Sequence, residues 1–70
     1  DPAAEAEQIG AMLGKLDVTT LRDVLSAAAQ DGLDDLDNEA LRRDGVNIVT
    51  RRGWSPADLA DSIKAAKGQS

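Results

Sequence analysis

Apolar side chains recur along this chain every three to four residues, the spacing that keeps one face of a helix out of water. Ala6, Ile9, Met12 or Leu13, and Leu16 form a first stripe and predict a helix over residues 2–15. Its start is marked three times over. Asp1 suits the N-cap, Pro2 has the fixed φ of a first helical residue, and Glu5 meets the positive end of the helix dipole. Gly10 and Gly14 make a Gly-x-x-x-Gly pair, and Gly14 also reads as a simple stop. A second stripe, Val18, Leu21, Val24 or Leu25, and Ala28, predicts a helix capped by Asp17 or Thr19. Asp31-Gly32 is expected to end it, with Gly32 in the left-handed conformation beyond a helix terminus.

Residues 31–39 then hold five acids, which raises the question of a calcium loop. Such a loop needs oxygen ligands at its first, third and fifth positions, Gly at the sixth and Glu at the twelfth. Counting from Asp31 puts Leu33 third and Leu36 sixth; counting from Asp35 puts Ala40 sixth and Val46 twelfth. Neither frame fits, so no metal site is expected. The segment reads instead as a polar loop in which Asp37 caps a short third helix over 38–44, with Leu33, Leu36 and Leu41 turned inward and Gly45 as its stop. Val46-Asn47-Ile48-Val49-Thr50 is the only β-branched cluster and reads as an extended connector docked on the helices, with pairing to a strand of another chain as an alternative.

The strongest local signal comes last. Ser55, Pro56 and Asp58 spell a capping box with proline at the first helical position, and Trp54 and Leu59 occupy the two positions of a hydrophobic staple. Leu59, Ile63 and Ala66 continue the buried face, Lys64 and Lys67 complement the dipole at the far end, and Gly68 closes the helix, with the terminal residues frayed. The expected fold is therefore all-α: a small bundle of three to four short helices with one short extended connector, helices two and four forming the principal apolar pair.

Composition limits what such a bundle can do. Twelve of the apolar residues are alanine, leaving 17 larger apolar side chains in one small domain of 70 residues, too thin a core to enclose a large ligand. Asp1 in place of an initiating Met suggests a piece of a larger polypeptide. The chain has no Cys and no His, which removes disulfides, thiolate nucleophiles, the usual neutral-pH base and the commonest metal ligands. Apolar runs of at most three residues exclude a membrane span, and a cytoplasmic location is expected.

Catalytic arrangements fail one by one. Triads and dyads lack His or Cys. Ser55 or Ser62 with Lys64 or Lys67 would need a desolvated lysine, for which the last helix offers little cover. The glycines are scattered and make no phosphate loop. Asp61-Ser62-Ile63 is similar to the Asp-Ser-Leu attachment site of acyl carrier proteins, but Ser62 falls inside its helix with only eight residues after it, and the match is read as accidental. No enzyme activity, cofactor or small-molecule substrate is expected.

Charge is distributed unevenly. Residues 1–41 carry ten acids and two bases, net −8; residues 42–70 carry six bases and three acids, net +3. The basic half contains Arg42-Arg43 and Arg51-Arg52, on either side of the expected connector. A short helix, an extended linker and a capped helix over 37–66 faintly resemble helix-extension-helix modules of the SAP and LEM type, with no distinctive motif to carry the likeness. Some of those modules bind DNA and others bind proteins. The expected function is a non-catalytic protein-interaction or assembly module, with homodimerisation left open and nucleic-acid binding through the basic half as the alternative. The expected contact residues are Arg42, Arg43, Arg51, Arg52 and Trp54, with Val49, Trp54 or Leu36 as exposed apolar footing.

Overall fold

A computed structural model describes residues 1–29 and 32–68. It contains four helices, α1 (Pro2–Gly14), α2 (Val18–Ala28), α3 (Asn38–Arg52) and α4 (Pro56–Gly68), and no strand among the described residues.

The helix starts follow local side-chain chemistry. Asp1 Oδ1 accepts from the Ala3 amide at 3.1 Å, Asp17 Oδ2 from Thr20 at 3.4 Å, and Asp37 Oδ1 from Ala40 at 2.8 Å. Each satisfies an amide that has no partner inside its helix. At α4 the box is reciprocal: the Asp58 amide donates to Ser55 Oγ at 3.2 Å and the Ser55 amide donates to Asp58 Oδ2 at 3.0 Å. Thr20 also lowers the Asp17 carboxyl below its ordinary value, first through its side chain and then with the amides of the first turn.

The third helix departs from the sequence reading. Neither Gly45 nor the β-branched cluster stops it; residues 45–50 are helical, and α3 is 15 residues long. The extended connector, and with it the helix-extension-helix likeness, is absent. Gly45 is buried, and a Cβ there would lie 3.0 Å from Leu13 Cδ1 and 3.4 Å from Leu25 Cδ1, so the glycine marks a close crossing of α3 over α1 and α2. Gly in a helix costs about 1 kcal/mol and each β-branched residue less. Burial of Leu41 and Val49, both with no exposed surface, returns about 1.5–3 kcal/mol each. Packing outweighs propensity.

The actual stop is Gly53, at φ 86°, the one positive-φ residue among those described. Its amide donates to Thr50 O at 3.0 Å and the Trp54 amide to Val49 O at 3.2 Å, the paired bonds of a Schellman motif. α2 ends earlier than expected, at Ala28, and Ala29 is already extended, so Gly32 does not directly follow the helix terminus. Asp31, expected to help end α2, and the terminal Gln69-Ser70 lie outside the described residues.

Each helix packs extensively on two others, α1 and α2 both on α3 and α4. The helices therefore stand in the ring order α1, α3, α2, α4, and α1–α2 and α3–α4, although consecutive in the chain, face each other across the diagonal. The expectation that α2 and α4 are the principal pair is corrected accordingly: α3 is packed at least as extensively on α1 and on α2. Ile9, Leu13, Leu16, Leu21, Val24, Leu25, Leu33, Leu41, Val49 and Leu59 form one core, with Met12, Trp54 and Ile63 packed at its edge.

Candidate functional site

Residues at the C-terminal ends of α2 and α3 and in the 32–36 loop line an open groove of about 320 Å³. Ala28, Ala29, Leu33, Leu36 and Ile48 line it with apolar surface, and Arg51 and Arg52 stand at its edge. The alanines are what make it a depression, since a longer side chain at either would fill the space. Leu33 is held inward where the Leu36 amide donates to its carbonyl at 2.9 Å, a turn over Asp34 and Asp35. Leu36 and Ile48 are half-buried and keep part of their surface in the groove.

The structure separates the five expected contact residues. Arg51 and Arg52 are exposed in the last turn of α3 and share this groove. Arg42, near the start of α3, donates from Nη2 to Leu16 O at 3.0 Å and so ties α3 to the connector between α1 and α2. Arg43 is exposed and meets its neighbour Asp44 at 3.4 Å, with 70% of its side chain accessible, which makes the pair a weak one. Trp54 is half-buried against the core edge, consistent with its place in the staple.

Of the expected apolar footing, Val49 has no exposed surface, and no large hydrophobic residue among those described is exposed. The reason is the continuous α3, which turns Val49 inward with Leu41 and Gly45 at four-residue spacing. Leu36 alone of the three contributes to the groove. That repeat of Leu41, Gly45 and Val49 was the available signal in the sequence for both findings.

Arg22 carries a role that its sequence context did not announce. From α2, its Nη2 donates to Leu36 O at 3.3 Å and to Asn38 Oδ1 at 3.5 Å, tying the end of the loop and the start of α3 to α2. This fixes one wall of the groove.

The described core holds no polar or charged residue, so no titratable group there has its pKa tuned by burial. Among the described residues no three acids cluster closely enough to hold a metal ion, and no helix is long and apolar enough to cross a membrane. Comparison with known protein families, curated proteins and solved structures gives no match.

Proposed function

We propose that this chain is a non-catalytic protein-binding module that uses the groove between α2 and α3. An apolar side chain of the partner fills the space over Ala28, Ala29 and Leu36, and neighbouring carboxylates of the partner pair with Arg51 and Arg52. One observation carries the reading: two exposed arginines stand beside a depression to which Ala28, Ala29, Leu33, Leu36 and Ile48 contribute apolar surface, in a chain of net charge −5. The apolar contact supplies affinity, and the guanidinium groups, which can grip carboxylates with two hydrogen bonds each, supply orientation. Arg42, bonded to Leu16 O, belongs to the scaffold. Affinity capture with the chain and with its R51E/R52E variant tests this. The bound partner is expected to lose at least tenfold in affinity for the variant; an unchanged set of bound proteins refutes the assignment.

Nucleic-acid binding is the second reading, and the solvent face of α3 favours it. Arg43, Asn47, Thr50 and Arg51 are all exposed there at the spacing of a single helix face. Duplex titration at two salt concentrations distinguishes the readings. Affinity that falls steeply with salt and disappears with R43E/R51E supports the nucleic acid. The overall negative charge and the Asp44 carboxylate beside Arg43 favour the protein partner.

A further inference from the structure

All three lysines of the chain, Lys15, Lys64 and Lys67, line one groove of about 410 Å³ between α1 and α4. Met12, Leu16, Ala60 and Ile63 make its apolar floor, and among the described residues no acidic one lines it. Lys15 comes from the end of α1 and the other two from the second half of α4, so folding gathers positive charge that is scattered in the sequence. The α1–α4 contact is the least extensive of the four packed helix pairs, which leaves the seam open. In the ring order α1, α3, α2, α4, this seam lies on the side opposite the α2–α3 groove, and the two share no lining residue.

We propose that the α1–α4 seam is a docking groove, which receives an acidic amphipathic helix of another protein. Charge complementarity selects the occupant: Lys15 and Lys64, exposed at this groove in a chain of net −5, attract carboxylates. The apolar floor selects a helix with an apolar stripe, because a third helix laid along two others buries that stripe while its own outer face stays in water. Nucleic acid would bring charge without side chains for Met12 and Ile63. A bilayer would require apolar side chains that project outward, and the described residues expose no large hydrophobic. This assignment is independent of the α2–α3 groove.

The test is selection of a displayed helical peptide library on the full chain, with each recovered peptide titrated against K15E/K64E and R51E/R52E. Both lysines and both arginines are exposed, and circular dichroism verifies that each variant keeps its helices. One class of peptides is expected to be rich in Asp and Glu, with apolar residues three and four apart. That class should lose at least tenfold in affinity for K15E/K64E, stay within twofold for R51E/R52E, and shift the amide resonances of Met12 and Ile63. Absence of a lysine-dependent class, or one without acidic enrichment, overturns the proposal. So does lysine-dependent co-sedimentation with phosphatidylserine vesicles in place of peptide binding, or self-association of the chain that K15E/K64E abolishes. The α2–α3 groove is tested separately by affinity capture with R51E/R52E, and its failure there leaves this one standing.

Discussion

The backbone of Gly45 passes so close to Leu13 that a single added methyl would stand 3.0 Å from Leu13 Cδ1. This approach lets α3 lie between α1 and α2, where its last turns form one side of the α2–α3 groove.

Gly45→Val adds three carbons against Leu13 and Leu25, which must shift to admit them, and is expected to destabilise the fold by about 1–3 kcal/mol. Gly10→Ala is its control. The nearest atom to a new Cβ there is Val46 Cγ2 at 3.5 Å, an ordinary contact, so the gain in helix propensity should stabilise by up to about 1 kcal/mol. Urea denaturation followed by the fluorescence of Trp54 measures both.

The end of α3 makes a second contrast. Gly53 holds φ at 86°, and Gly53→Ala is expected to cost about 1 kcal/mol because a Cβ crowds the carbonyl in that conformation. Gly14, helical and with nothing near its missing Cβ, should respond to alanine with a small increase in stability. Equal responses at the two sites in thermal melts would contradict the assignment of the α3 terminus.

Adjacent arginines should behave differently. Arg42→Ala removes the bond to Leu16 O and is expected to lower stability by about 1 kcal/mol. Arg43→Ala removes an exposed pair with Asp44 and should change stability by less than about 0.5 kcal/mol. Urea midpoints at constant slope are the measurement.

Acid should loosen the start of α2. The Asp17 carboxyl titrates below its ordinary 3.8 in the folded chain, chiefly because of Thr20. Its contribution is complete above the unfolded value and is lost as pH falls through the folded one. Asp17→Asn keeps a capping oxygen without the charge, so the drop in urea midpoint between about pH 6 and about pH 2.5 should be smaller than in the parent chain. An equal drop would remove Asp17 from the acid response.

The helix starts were legible in the sequence, with Asp17 and Thr19 as alternatives at α2, because a cap is a bond between a side chain and an amide two or three residues away. Asp1, Asp17, Asp37 and the Ser55–Asp58 box needed no distant partner. The course of α3 was not legible in the same way. Gly45 and Val46 to Thr50 disfavour helix locally, and only burial against α1 and α2 reverses that preference. Arg51 and Arg52 were recognisable as a basic pair, but their place beside Ala28, Ala29 and Leu36 depends on where α2 meets α3. The lysines illustrate the same division: Lys15 and Lys64 are 49 positions apart in the chain. Bonds between near neighbours determined where helices begin, whereas apolar burial between distant segments decided where they run and which charges they bring together.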